Sequence, residues 1–156
     1  MTIILSIDPA SNKAKESNTG VTLIENGKLI NYWCLPYGVR GIREWHKKDF
    51  NNIKFDKVIF EHFEARDNAK SKDNTVLETI AEIQRLIPES EPFRNGGYQT
   101  DVPNELLKAL GMWKFGKSHH ADVRASARLA IFYAMRNDLE DFLKGIGEQL
   151  IEKIQS

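Results

Sequence analysis

Cysteine is nearly absent. Cys34 is the only one, so no intramolecular disulfide can form and stability has to come from packing. A lone thiol fits a reducing compartment, and the cytoplasm is the expected location. No apolar run approaches the roughly 20 residues that a membrane-spanning helix needs, so no membrane association is expected. The apolar N-terminus is interrupted by Asp8 and has no basic stretch before it, so no secretory signal is expected. Net charge is also missing: 22 basic side chains balance 22 acidic ones, so no global field marks a nucleic-acid binder. Repeats, low-complexity tracts and long linkers are absent as well. With 41% hydrophobic and 28% charged residues the composition excludes disorder. A length of 156 residues suits one substantial core, and a single domain spanning 1–156 is expected.

What charge there is lies unevenly. Arg40, Arg43, Lys47 and Lys48 face only Glu44 within one stretch, and Lys114, Lys117, Arg124 and Arg128 face only Asp122 within another, while the end of the chain leans acidic. Such stretches are either solvated faces or local phosphate-binding surfaces.

The hydrophobic pattern predicts a strand over Ile3 to Asp8, stopped by Pro9, which has no N–H to give to a sheet. A second strand runs from Thr19 to Ile24. Asn26-Gly27 is a hairpin signal, and Lys28 to Leu35 returns as strand three. Pro36 to Gly41 reads as a turn and Ile42 to Phe50 as a short basic, aromatic helix. Lys57 to Glu61 repeats the opening, an apolar run ending in an acid. A helix with Val76, Ile80, Ile83 and Ile87 on one face follows, with Thr75 and Glu78 as a candidate capping box and Pro88 as its stop. A fifth strand falls within Glu91 to Thr100, weakened by Gly96-Gly97. A short helix after Pro103, a long one from His119 to Met135 and a final one from Leu139 to Ile154 complete the chain. Gly145 and Gly147 weaken that last helix by about 1 kcal/mol each against alanine. The order predicts an α/β fold: a mixed sheet, antiparallel in its first three strands and then parallel, flanked by helices.

Asp8 and Glu61 thus end two buried strands, and His119 and Asp122 open a helix three residues apart, on a shared face. Each has an ordinary reading when taken singly. Asp-Pro starts turns, Glu61 can pair with Lys57 or Arg66, and Asp122 suits the positive end of a helix. Together they are a donor set for hard cations, because gathered carboxylates repel unless a cation lies between them. Oxygen ligands with one imidazole suit Mg²⁺ or Mn²⁺, and two such ions serve phosphodiester hydrolysis. Either His119 or His120 can be the late ligand.

These motifs carry a resemblance. Ile7-Asp8-Pro9 with Thr19-Gly20-Val21, then Val58-Ile59-Phe60-Glu61, then Tyr98, Pro103, Leu107-Lys108 and Gly111, and last His119-x-x-Asp122 on an Ala-rich helix, resemble the RuvC family of Holliday junction resolvases within the ribonuclease H-like superfamily. The similarity runs from about Ile3 to Met135 in short pieces and is to a compact, divergent member of phage or organelle type. Ala10 replaces a usual glycine, the loop before Gly20 is longer, and the connection from Gly111 to His119 is short.

The resemblance implies a ribonuclease H-like five-stranded sheet and a Mg²⁺-dependent endonuclease of DNA recombination and repair. It implies a homodimer that cuts paired strands of a four-way junction. Asp8, Glu61, His119 and Asp122 would be the catalytic metal ligands, holding two ions. Phe63, just after the second motif, would help to hold the junction open, and Lys108, Lys114, Lys117, Arg124 and Arg128 are candidates for DNA phosphate contacts. Four other readings compete. They are a related nuclease acting on flaps or RNA–DNA hybrids, a junction-binding protein without catalysis, an actin-like ATPase lobe, for which the chain is too short, and an ordinary α/β interaction domain.

Overall fold

The structure, a computed structural model, describes residues 1–12, 18–63, 75–116 and 120–155. Strand β1 (Ile3–Asp8) lies at the centre of a five-stranded sheet. It pairs antiparallel with β2 (Thr19–Glu25), which pairs antiparallel with β3 (Lys28–Leu35). On its other side β1 runs parallel to β4 (Lys57–Glu61), and β4 runs parallel to the short edge strand β5 (Glu91–Phe93). The order is β3-β2-β1-β4-β5, the mixed α/β arrangement that the pattern predicts.

The Asn26-Gly27 turn forms as expected. Both residues have positive φ, 49° and 80°, as a tight hairpin whose twist matches its strands requires. The predicted turn at 36–41 is largely helix instead: α1 spans Gly38–Lys48, entered through Tyr37 in the left-handed conformation. Helix α2 (Val76–Leu86) buries Ile80 and Ile83 as predicted, but its capping box does not form. Thr75 itself has helical dihedrals and makes no cap bond. Its hydroxyl instead pairs with Ser11 at 3.0 Å and accepts from the Asn12 N–H at 3.0 Å, while Glu78 takes the Asn12 amide at 3.1 Å. The would-be cap ties down the loop that leaves β1.

The predicted fifth strand is shorter than its range. After Phe93 the chain turns at Gly97 (φ 85°) into the short helix α3 (Tyr98–Asp101), then α4 (Asn104–Ala109). The long helix α5 covers His120–Arg136 and α6 covers Glu140–Gln155, each within a residue or two of expectation.

Alternation along the strands divides the core in two. Ile4, Ile24 and Ile59 face α5 and α6 together with Val123, Ala127, Ala130, Ile131 and Phe142. Leu5, Ile7, Val21, Val58 and Phe60 face α1 and α2 with Ile42, Trp45, Ile80 and Ile83. Glu82 on α2 is buried and clasped by Arg85 at 2.6 and 2.9 Å and by Arg43 of α1. The two guanidiniums hold its carboxyl down at about 2, against the cost of burial.

Gly145 shows a close approach that the helix propensity scale misses. A Cβ there would stand 1.7 Å from the Asn26 carbonyl oxygen. Helix α6 therefore crosses the β2–β3 turn backbone to backbone, and Gln149 donates to the Gly27 carbonyl at 2.7 Å. Gly147 has nothing within 4 Å of its Cβ position, so only there does the propensity cost stand alone.

Candidate active site

The acids gather at the carboxyl end of the central strands. Ile7 and Phe60 are opposite one another in the parallel β1–β4 pair, so Asp8 and Glu61, one residue further on each strand, end side by side. Both follow the phase of Ile4 and Ile59 and project to the α5 face. Their carboxyls lie within hydrogen-bonding contact of each other. Burial first, then that contact and the charges of Glu61 and Asp122, push Asp8 well above the usual carboxylate range.

Gly20 brings the third acid in. It is the register partner of Asp8, and a Cβ on it would stand 2.1 Å from the Asp122 carbonyl oxygen and 2.7 Å from the Val123 nitrogen. The first turn of α5 therefore rests on bare β2 backbone beside Asp8. Ser126, one turn further along, is hydrogen-bonded to Thr22 of β2 at 3.2 Å and to the Val123 carbonyl at 2.8 Å, which fixes the helix on the strand. Cys34, opposite Gly20 on β3, also feels Asp122: burial and then this charge raise its thiol to about 11.

Glu61 is oriented by Asn95, whose side-chain amide donates to it. Asn95 is also hydrogen-bonded to Tyr98. The phenol of Tyr98 is raised by burial and then by the Glu61 and Asp8 charges, with Arg128 opposing. The sequence gives Asn95 little prominence. Its signal is its place just past a parallel strand, on the edge where such sheets collect polar side chains.

His119 and Lys117 lie outside the described residues, and His120 is described only as the first residue of α5. Among the described residues no group of three or more His, Cys, Asp or Glu is gathered tightly enough to hold an ion. The three acids nonetheless fit hard cations by their chemistry. They are all oxygen donors, two of them end neighbouring strands side by side, and among the described residues no Lys or Arg ion pair reaches Asp8 or Glu61.

The described basic candidates lie around a residue the pattern does not single out, Trp113. The Arg124 guanidinium lies 3.6 Å from the centre of the Trp113 ring, and its Nε donates to the Trp113 carbonyl at 2.5 Å. The Lys108 ammonium stands 4.8 Å from the same ring. Lys108, Lys114 and Trp113 line a groove of about 510 Å³. Arg128 differs from the exposed lysines: it is buried, bonded to Asn104, and 5.6 Å from the Tyr98 ring. Phe63, two residues past β4, packs partly against the α1–α2 side of the core.

No protein-family model and no curated protein matches the sequence. Solved structures do match. RuvC of Thermus thermophilus in complex with Holliday junction substrate superposes with a TM-score of 0.65 over 90% of this chain and 98% of that one, at 9% identity. A second structure of Thermus thermophilus RuvC gives 0.60 over 87% and 97%, at 12% identity. The chain has the RuvC fold. At such identity the likeness is one of architecture, and the β1, β4 and α5 acids occupy the carboxyl edge of that architecture's central strands. No described helix is long and apolar enough to cross a membrane.

Proposed function

We propose that the protein is a structure-selective endodeoxyribonuclease that resolves four-way DNA junctions by paired phosphodiester hydrolysis, acting as a homodimer. The observation that carries this reading is the Asp8–Glu61 pair. Two carboxyls stand together at adjacent strand ends, with Asp122 close enough for its charge to act on Asp8, in a RuvC fold. A purely structural pair of acids held together without a cation would be an unrewarded cost.

Asp8, Glu61 and Asp122, with His119 or His120, would hold Mg²⁺ or Mn²⁺. When bound, two such ions supply a nucleophile at neutral pH and neutralise charge on the leaving oxygen. The chain's own part is to bind and orient. Asn95 fixes the Glu61 carboxylate, the Gly20 contact sets the depth of Asp122, and Asp8 would stand beside Glu61 as a ligand. Lys108 and Lys114 would hold phosphates, which positions DNA without reading its sequence. The homodimer would supply one site for each of the two strands cut.

The test is cleavage of a four-way junction, a flap and an RNA–DNA hybrid in parallel with Mg²⁺, by wild type and Asp8→Asn. Wild type should cut the junction preferentially and at paired positions. Asp8→Asn should bind the junction as tightly and cut it at least 100-fold more slowly. Equal cutting by the variant would refute the role of the acids. Preference for the flap or hybrid would keep the nuclease and replace the substrate.

A further inference from the structure

Arg128 is an anomaly that the acid site does not use. Its side chain is 7% exposed. One Nη donates to Asn104, while the buried Nε has no hydrogen-bond partner among the described residues. No carboxylate forms an ion pair with it among the described residues. A buried guanidinium without a counter-anion is costly, far more than an exposed one. Arg128 also borders a hollow of about 250 Å³, lined too by Tyr98, Asn104, Trp113 and Arg124. Arg124 is one helical turn before Arg128 on α5, so both cations share a face. Arg124 spends its Nε on the Trp113 carbonyl, and no bond to its terminal nitrogens is seen among the described residues.

We infer that this hollow is a built anion site for a backbone phosphate of a nucleic-acid strand, with that nucleotide's base lying against Trp113. Arg128 supplies the buried charge, Asn104 aims it, and Arg124 adds a second cation from the same helix face. The indole of Trp113 borders both the hollow and the adjoining groove with Lys108 and Lys114. It already carries one planar cation, an arrangement that suits a base as well. Tyr98 joins the hollow to the acids through Asn95 and Glu61. A strand held here would therefore present a neighbouring phosphate to Asp8 and Glu61. That last assignment rests on the nuclease reading; the anion site itself does not.

The test separates the two. Thymidine 3′,5′-bisphosphate is titrated into the protein in EDTA, which removes cation-mediated binding at the acids, and tryptophan fluorescence is followed. Trp33 and Trp45 pair with each other at 5.8 Å on the opposite face of the sheet, so quenching abolished by Trp113→Phe reports the hollow. Wild type should bind; Arg128→Gln and Arg124→Gln should each bind at least tenfold more weakly. Inorganic phosphate should compete and thymidine should not; competition by thymidine alone would make this a base pocket and overturn the phosphate assignment.

Junction binding in Ca²⁺ gives a second readout. The slope of log affinity against log salt should fall by about 1 in Arg128→Gln and be kept in Arg128→Lys. The thermal midpoint of Arg128→Gln should stay level or rise, because an unpaired buried charge is gone. A lowered midpoint with an unchanged salt slope would make Arg128 structural and overturn the inference. Bisphosphate binding without cleavage of any DNA would sink the nuclease reading and keep the hollow. Cleavage without bisphosphate binding would do the reverse.

Discussion

At the scale of single residues the molecule is governed by what is left unneutralised. Asp8 is pushed up by burial and by two neighbouring acids, and the sign of its effect on stability follows. Its carboxyl keeps a proton in the folded state at pH values where the unfolded chain, near the usual 3.8, has lost it. The folded state then binds more protons, so stability is full below that value and declines as pH rises towards the folded pKa, by about 1.4 kcal/mol per pH unit within the window. Glu82 works the other way: its contribution is full above the usual 4.5 and fades as pH falls to about 2. In metal-free buffer Asp8→Asn should therefore be more stable than wild type, by a margin that widens above about pH 4. Denaturation midpoints from pH 4 to 8 measure it, and a margin flat in pH would mean that Asp8 is not strained. The placing of Asp8 and Glu61 at strand ends is legible in the sequence, because each closes an apolar run, and Pro9 stops the first. Asn95, Asn104 and Trp113 are not legible. Nothing in their local pattern distinguishes an amide or indole in a loop that faces an acid or an arginine from one that faces water.

At the scale of elements, two helices are seated on the sheet by missing side chains. Helix α5 meets β2 at Gly20 and α6 meets the hairpin at Gly145, with Cβ positions 2.1 and 1.7 Å from backbone oxygens. Both contacts are backbone to backbone, so neither can yield by a rotamer change. Gly20→Ala should cost about 1–3 kcal/mol and slow junction cleavage at least tenfold, because Asp122 must move with its helix. Gly147→Ala, with open space around it, should gain up to about 1 kcal/mol and leave cleavage unchanged. Paired melting and cleavage assays check the opposite signs; a neutral Gly20→Ala would place α5 elsewhere. The strands were readable because alternation and the Asn26-Gly27 turn act locally. The capping box that the pattern offers at Thr75 does not form because Ser11 and Asn12, more than sixty residues away in sequence, compete for the same hydroxyl. Gly145 shows the same limit of local pattern: propensity counts what a residue does for its own helix, and Gly145 also serves a neighbour, whereas Gly147 does not.

At the scale of the whole molecule the zero net charge conceals a sorted one. Acids converge at the carboxyl end of β1 and β4, and Arg124, Arg128 and Lys108 collect around Trp113 and Tyr98 alongside. On the proposed nuclease reading, a strand of nucleic acid would meet cations at the phosphate to be cut and arginines at the next. The acidic half alone is repulsive, so a divalent cation should act as a structural ligand even without DNA. Binding to the folded state at ten times the dissociation constant adds about 1.4 kcal/mol, which for a chain of this size is a rise of about 3–6 °C in thermal midpoint. Mg²⁺ and Mn²⁺ titrations of wild type should show this rise, with Mn²⁺ acting at lower concentration if an imidazole completes the site. Asp8→Asn combined with Glu61→Gln should start from a higher metal-free midpoint and show no rise. An equal rise in the double variant would put the cations elsewhere on the protein and leave the acid pair without its neutralising partner.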